Sequence, residues 1–98
     1  MPKPVIFDDH ADGEVTEAYL WYLQRSERAA NRFLDAMDIA VEQIRERPES
    51  FPTYLVDTQV CQLRKFPYLV VFRNYVDRIY VVAVAHGHRR PGYWAGRF

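Results

Sequence analysis

The residues whose types could do chemistry lie in the C-terminal half of the chain and are basic, histidine or tyrosine. They are Arg64, Arg73, His86, His88 and Tyr93. Cleavage of a phosphodiester by a neighbouring 2′-hydroxyl needs a base, a cation that stabilises the charge on phosphorus, and an acid for the leaving oxygen. Arg64 and Arg73 could steady the phosphate, and His86 or Tyr93 could act as acid or base. Such a set would be a metal-independent endoribonuclease site.

Each of these side chains also has a structural interpretation. Arg64 could pair with a carboxylate on a helix. His86 ends a predicted buried strand, where it could be hydrogen-bonded within the fold. Arg89 and Arg90 are expected to be exposed, either solvated or in contact with a partner. The sequence alone leaves these alternatives open.

Three further residues are expected to have packing roles. Tyr68 follows a proline and is expected to pack in the core. Trp94 is expected to form a lid over the junction of helices and sheet rather than a platform for base stacking. Cys61 is the single cysteine and has no neighbouring base, so we expect a small core residue, with no disulfide, no metal site and no cofactor. A single cysteine also fits a reducing, cytoplasmic setting.

Apolar periodicity predicts the elements that must position these residues. A proline opens a short apolar run at about 4–8, which suits an edge strand. Helices are expected at about 10–25 and 27–47, where apolar residues recur at spacings of three and four. The stripes are Ala11, Val15, Ala18, Tyr19, Tyr22 and Leu23, then Ala30, Phe33, Leu34, Met37, Val41 and Ile44. With almost no linker, the helices should form an antiparallel hairpin over about 10–47.

Polar and proline residues mark the ends of these helices. Asp8 or Asp9 can cap the first helix, and Ser26 is the expected N-cap of the second. Pro48 should end the second helix, because proline cannot continue one.

Three strands follow an extended loop at 48–58. They are expected at 59–65, 68–75 and 78–86, the last buried on both faces as a central strand would be. The tail, residues 87–98, is basic and aromatic, with a helical turn. The predicted fold is α+β: a single domain, residues 1–98, with the hairpin packed on one face of a small, mainly antiparallel sheet in the order β-α-α-β-β-β.

Charge is unevenly distributed, although the chain is neutral overall. Residues 1–56 carry six basic and eleven acidic side chains, whereas residues 57–98 carry seven basic and two acidic ones. We therefore expect the C-terminal half to present a basic face to an anionic partner, rather than only solvated mixed charges. We also expect the second face or an edge of the sheet to stay open, where a partner strand could be added.

No segment of the sequence predicts membrane insertion or export. The longest apolar runs, Tyr68–Phe72 and Ile79–Ala85, are far too short to span a bilayer. The first four residues lack a signal-peptide pattern. We therefore expect a cytoplasmic protein without a membrane partner.

An ordered set of residues across about 5–97 resembles the RelE/ParE superfamily, the toxins of bacterial toxin–antitoxin pairs. In the hairpin the matching residues are Glu17-Ala18, Tyr22, Ser26, Ala29-Ala30, Arg32-Phe33, Ile44 and Pro48. In the sheet and tail they are Leu63-Arg64, Phe66-Pro67-Tyr68, Val71, Ile79, Val81, Ala85-His86, Arg89, Tyr93-Trp94 and Arg97. No single motif is specific. The ordered combination of Arg-x-Phe-Pro-Tyr with a later His-x-x-Arg carries the resemblance.

The resemblance implies a small cytoplasmic toxin that a cognate antitoxin neutralises by laying its C-terminal segment along it, in a hetero-oligomer. RelE-like members of the superfamily cleave mRNA in the ribosome. ParE-like members inhibit DNA gyrase and lack a nuclease site. The residues expected to bind a partner are Arg64, Arg89, Arg90, Trp94 and Arg97.

The ParE-like branch is favoured because an early basic cluster is missing. RelE-like proteins usually draw basic residues from ahead of the first long sheet strand, but no Lys or Arg occurs here between Arg47 and Arg64. We therefore expect a protein that binds and inhibits DNA gyrase. One alternative is a ribosome-dependent mRNA endoribonuclease, with Arg64, Arg73, His86 and Tyr93 as catalytic residues. Another is a non-toxic relative that acts only as an antitoxin-binding module.

Overall fold

The fold is a helical hairpin packed on one face of a four-stranded mixed sheet, which confirms the predicted α+β class. The computed structural model describes residues 2–98, so Met1, the start of the segment without a signal-peptide pattern, lies outside the described residues. The elements are β1 (Val5–Phe7), α1 (Asp9–Leu23), α2 (Glu27–Glu46), β2 (Gln59–Gln62), β3 (Tyr68–Asn74) and β4 (Ile79–His86). Short 3₁₀ helices lie at Pro48–Ser50 and Ala95–Arg97.

Both helices begin at predicted N-caps. The Asp8 carboxylate accepts a hydrogen bond from the His10 N–H at 2.9 Å, and the Ser26 hydroxyl accepts one from the Ala29 N–H at 3.2 Å. Each bond satisfies an amide that has no partner within its helix. Pro48 follows the end of α2, as predicted.

The sheet has the strand order β1-β4-β3-β2. β1 runs parallel to β4, and the other two pairings are antiparallel. β4 is therefore central and buried on both faces, as its nearly continuous apolar sequence predicts. The pairing of β3 with β4 skips Val82. This β-bulge allows Val82 and Ala83 to pack in the same cluster on one face of the sheet.

The main core lies between the helices and the sheet. Phe33 of α2 is fully buried, and its ring contacts those of Tyr22, Phe66 and Tyr68 at centroid distances of 5.5, 5.6 and 5.5 Å. These aromatic contacts join the hairpin to the start of β3. Cys61 is buried in the same core, as predicted, and burial raises the pKa of its thiol.

The centre of the second face of the sheet is covered, so this face is not open to a partner strand across its whole width, as the sequence allowed. Trp94 is buried on this face against Val71, Val82 and Ala83, and its ring stacks on Phe98. The predicted lid over the helix–sheet junction was wrong in position, because Trp94 closes the face opposite the hairpin. The tail folds back there because the apolar side chains of that face would otherwise contact water.

β2 is shorter than predicted, so Arg64 does not lie on a strand. β2 ends at Gln62, and the chain reverses over residues 63–67 to pair β2 with β3. Lys65 in this turn has a φ of 66°, outside the extended region. The Gln62 side-chain amide donates to three backbone carbonyls around the turn at 3.1 to 3.3 Å. The alternation of apolar and polar residues at 59–65 continues beyond the end of β2, which is why the predicted strand was too long.

Two apolar residues of the predicted helix stripes, Leu23 and Leu34, are exposed instead of buried. In α1 the fully buried positions are the small residues Ala11 and Ala18. Small side chains let α1 lie close to β4, which leaves little depth for a larger residue such as Leu23 at the margin of its stripe.

Candidate functional site

The four nuclease candidates are divided among three places in the fold. His86 and Tyr93 line one cavity of about 390 Å³, between α1 and the end of β4. Arg64 lines a different cavity beside α2. Arg73 lies on the other face of the sheet, because Phe72 before it packs under the helices and neighbouring strand residues face opposite ways. The structure therefore brings together His86 and Tyr93, but neither arginine with them.

The cavity that contains His86 has aromatic walls and is bordered by charges of both signs. Its lining includes the rings of Trp21, Tyr22 and Tyr68, the cation Arg89, and the carboxylates of Glu14 and Glu17. The His86 ring meets the Tyr68 ring edge-on at 5.1 Å and stacks on the His88 ring at 5.0 Å. His86 Nδ1 accepts a hydrogen bond from the His88 N–H at 3.1 Å. In the neutral ring, Nε2 of His86 therefore carries the hydrogen and can donate a hydrogen bond to a ligand.

Tyr93 is bound to a glutamate of α1. Its hydroxyl donates a hydrogen bond to Glu14 Oε2, and Arg97 binds the same carboxylate at 2.9 and 3.2 Å. Burial, the hydrogen bond to Glu14 and the negative charge of Glu14 raise the pKa of Tyr93 well above its ordinary value. Tyr93 therefore keeps its proton at neutral pH, and its hydroxyl is committed to Glu14.

The side chains of Glu14 and Arg97 bind the backbone of β4 where β4 extends beyond the end of β1. β1 pairs with β4 only as far as Val81. Past that point Glu14 Oε1 accepts a hydrogen bond from the Val84 N–H at 3.0 Å, and Arg97 Nη1 donates to the Val82 carbonyl at 3.1 Å. The two side chains therefore take the place of a strand partner and tie the tail to α1 and β4.

Glu14 has no assigned role in the sequence analysis, although the sequence carries a signal for it. Glu14 follows Ala11 by three residues and precedes Ala18 by four, and both alanines are buried. This spacing places Glu14 on the face of α1 that meets the sheet. A carboxylate on the buried face of a helix predicts a buried donor or cation beside it.

Arg73 binds groups from both turns at one end of the sheet. Its guanidinium donates to the Asp57 carbonyl at 3.3 Å and to the Tyr75 hydroxyl at 3.2 Å. It also stacks over the Phe98 ring, 4.4 Å from the centroid. Arg73 therefore joins two turns and the C-terminus.

The five residues expected to bind a partner differ in their accessibility. Arg64, Arg89 and Arg90 are exposed, and the Arg89 guanidinium lies 4.0 Å from the centre of the Tyr93 ring. Trp94 is only 1% exposed, and Arg97 is paired with Glu14. A partner could therefore reach Trp94 and the Arg97 guanidinium only if the tail were displaced.

A larger cavity of about 650 Å³ runs between α2 and the turn that joins β2 to β3. We call it the basic groove. Its apolar residues are Ala29, Ala36, Ile39, Ala40 and Phe66, and its charged residues are Arg28, Arg32, Asp35, Arg64 and Lys65. Ile39 is 55% exposed there. Four cations and one carboxylate around an apolar floor suit an acidic, amphipathic segment of another protein.

Within residues 2–98, no helix has the length and apolar character needed to cross a membrane. The same residues do not bring three or more His, Cys, Asp or Glu side chains together as a metal site.

Comparison with known proteins agrees with the superfamily resemblance. A family model described as the ParE toxin of type II toxin–antitoxin systems, parDE, matches residues 5–91. Among solved structures, one described as the chromosomal ParDE TA system from P. aeruginosa is similar in fold, with a TM-score of 0.75 and 12% identity over 86% of this chain and 95% of that chain. No curated protein matches the sequence. Because the family match covers most of the length, the chain belongs to the ParE toxin family of type II toxin–antitoxin systems.

Proposed function

We propose that this protein is a cytoplasmic toxin that binds and inhibits DNA gyrase and is neutralised by a cognate antitoxin. Membership of the ParE family supports the toxin role. One observation favours binding over catalysis: Arg64 and Arg73 lie apart from the cavity that holds His86 and Tyr93. A cleavage site needs charge, base and acid around one phosphate, whereas an inhibitor that binds needs only a complementary surface.

The purified protein is expected to inhibit supercoiling of relaxed plasmid by DNA gyrase. The assay compares rising toxin concentrations with and without the protein encoded by the neighbouring reading frame, which should restore supercoiling if it is the antitoxin. Unchanged supercoiling at high molar excess of toxin would count against gyrase as the target. Induced expression without growth arrest would instead favour a non-toxic antitoxin-binding module.

The basic groove is the surface we propose for the antitoxin. Its rim carries Arg28, Arg32, Arg64 and Lys65 around the exposed side chain of Ile39. An antitoxin segment with apolar residues on one side and acidic residues on the other would bury the floor and pair with the rim. Trp94 already covers the centre of the second sheet face, whereas the groove combines a cationic rim with an exposed apolar side chain, so we assign such a segment to the groove.

Charge reversal in the basic groove is expected to weaken antitoxin binding. The double variant Arg28→Glu/Arg64→Glu should raise the Kd by about 10- to 100-fold, because it places like charges against an acidic partner. High salt should weaken wild-type binding and have less effect on the variant. Calorimetry with the protein of the neighbouring reading frame, at low and high salt, measures both effects.

Arg90→Glu is the matched control for this charge reversal. Arg90 is one of the residues that the sequence indicates for partner binding, but it is exposed in the tail and does not line the basic groove, so its reversal separates the tail from the groove. Its reversal should leave the Kd within about twofold of wild type, a change below 0.5 kcal/mol. A larger loss with Arg90→Glu than with the double variant would move the antitoxin to the tail. Affinity that does not depend on salt would contradict the acidic character of the segment.

A ribosome-dependent endoribonuclease is the second candidate function, and one observation favours it. His86, Arg89 and Tyr93 do line a common cavity with aromatic walls, where a base could stack and a phosphate could meet a cation. Primer extension on translated mRNA should then reveal new 5′ ends that His86→Ala and Arg89→Ala reduce. If wild-type protein produces no new 5′ ends, the nuclease candidate is excluded.

A further inference from the structure

Four large apolar side chains are exposed at one end of the sheet, on two turns and at the C-terminus. They are Leu55, Val56, Val76 and Phe98, which we call the turn patch, and Val76 is 98% exposed. Arg73 connects the three segments through its contacts with the Asp57 carbonyl, the Tyr75 hydroxyl and the Phe98 ring. Because Arg73 joins these segments, their exposed apolar side chains belong to one region of the surface, and an apolar region of a surface marks a contact site for another molecule.

The first turn of the patch is held in a strained conformation. Val56 and Asp57 both have a φ of 56°, a region that a β-branched residue such as valine rarely adopts. The buried Thr58 holds the turn, because its hydroxyl donates to the Leu55 carbonyl at 2.5 Å and its own carbonyl accepts from the Tyr54 N–H at 2.7 Å. The rest of the fold offsets this strain, a pattern that is typical of functional positions.

The charges around the turn patch favour a protein as its partner rather than a nucleic acid. Arg73 is paired with Asp57 at 3.7 Å, and Arg78 with Asp77 at 2.9 Å. Lys3 binds groups at the end of β3. Nucleic-acid binding depends on cations that are free to replace the counterions of phosphates. Here Arg73 and Arg78 are paired with carboxylates and Lys3 is bound by neutral oxygens beside the apolar side chains, which is the arrangement of a protein-binding surface.

The turn patch and the basic groove lie at opposite ends of β3. β3 begins at Tyr68, after the turn that borders the groove, and ends at Asn74, two residues before Val76. A strand of this length spans about 20 Å. Substitutions in one surface can therefore be made without touching the other.

We propose that the turn patch is the surface through which this toxin contacts its protein target, with Val56 and Val76 inserted into an apolar recess of that protein. The inference rests on the proposed function and assigns the target to the patch and the antitoxin to the basic groove. A second copy of the chain is a poorer occupant. Neither cavity described above is lined by patch residues, so in a symmetric dimer the patch of one copy would meet the patch of the other and find no recess there.

Two single substitutions test the patch. Val76→Asp and Val56→Gly are each expected to raise the half-inhibitory toxin concentration at least about tenfold, because both remove an apolar anchor. Growth arrest after induced expression is measured beside gyrase supercoiling in vitro. Val56→Gly should not lower the Tm, because glycine adopts positive φ without strain, so a loss of activity cannot come from unfolding.

Leu20→Asp is the matched control. Leu20 is 49% exposed on α1 and lies outside the patch and both cavities, so this variant should keep wild-type inhibition. All three variants should still be neutralised by the protein of the neighbouring reading frame.

Each of the other outcomes contradicts the turn patch, its occupant or the proposed function. If the patch variants arrest growth and inhibit gyrase as wild type does, the turn patch is not the target surface. The same holds if Leu20→Asp loses activity equally. In both cases the proposed function stands. Sedimentation that shows a wild-type dimer broken by Val76→Asp would reassign the patch to a second copy and overturn the inference. If wild-type toxin arrests growth without inhibiting gyrase, only the assignment of gyrase as the target fails. The turn patch is then tested by comparing growth arrest by the patch variants with growth arrest by wild type. A wild-type protein that is inactive in both assays overturns the proposed function and the inference together.

Discussion

Glu14→Ala is expected to lower the free energy of unfolding by about 3–5 kcal/mol, because it leaves a buried charge without its partner. The side chains of Arg97 and Glu14 are only 14% and 12% exposed. The substitution also removes the acceptor of the Val84 N–H and of the Tyr93 hydroxyl. Each buried donor that loses its acceptor adds to the cost. Urea unfolding followed by tryptophan fluorescence measures the change.

Arg97→Ala is expected to cost less than Glu14→Ala, because Glu14 keeps two donors when Arg97 is removed. The double variant should cost less than the sum of the single variants by about 1 kcal/mol or more, since the two residues share one network. Glu42→Ala is the matched control on α2. Glu42 is exposed and pairs with Arg45 at 3.5 Å, and such pairs contribute about 0–1 kcal/mol. Equal costs for Glu14→Ala and Glu42→Ala would refute the role assigned to the buried pair.

Trp94→Ala should lower the free energy of unfolding by about 3–5 kcal/mol, the cost typical of removing a buried tryptophan. Trp94 is 1% exposed and packs on Val71, Val82 and Ala83. Its loss would open a cavity on the second face of the sheet and free the Phe98 ring that stacks on it. Because Arg73 stacks on the same Phe98 ring, the variant should also loosen the turn patch.

Trp21→Ala tests whether this cost comes from burial. Trp21 is 50% exposed on α1 and carries the Arg25 guanidinium over its ring at 3.6 Å. An exposed contact of this kind contributes about 0.5–1 kcal/mol, so Trp21→Ala should cost several-fold less than Trp94→Ala. Thermal and urea unfolding of both variants give the comparison. Similar losses for the two tryptophans would show that Trp94 does not hold the tail as described.

The helices, their beginnings and the strands could be predicted because their signals are local. Apolar residues three and four apart predict both helices, and Asp8 and Ser26 bind the first free amides as expected. The uninterrupted apolar run of β4 predicts a central strand. The same reasoning overestimated β2, because alternation carries no information about where the chain must reverse.

Contacts between distant parts of the chain account for what sequence patterns could not predict. The Glu14–Arg97 pair joins residues 83 positions apart, and the Glu14–Val84 bond joins residues 70 apart. Trp94 covers a sheet face that the predicted fold left open. No pattern of neighbouring residues specifies such pairings, which depend on how complete elements pack together.

The amino-acid sequence by itself determined the α+β class, the helical hairpin, the strand order along the chain and the resemblance to toxins, which the family match bears out. Periodicity, capping and ordered motifs are properties of residues near one another in the chain. Only the tertiary structure decided which functional candidates meet. It joined His86 to Tyr93, sent Arg64 to the basic groove and placed Arg73 at the turn patch. The physical reason is that β3 and the turn before it direct these side chains to different faces and ends of one sheet.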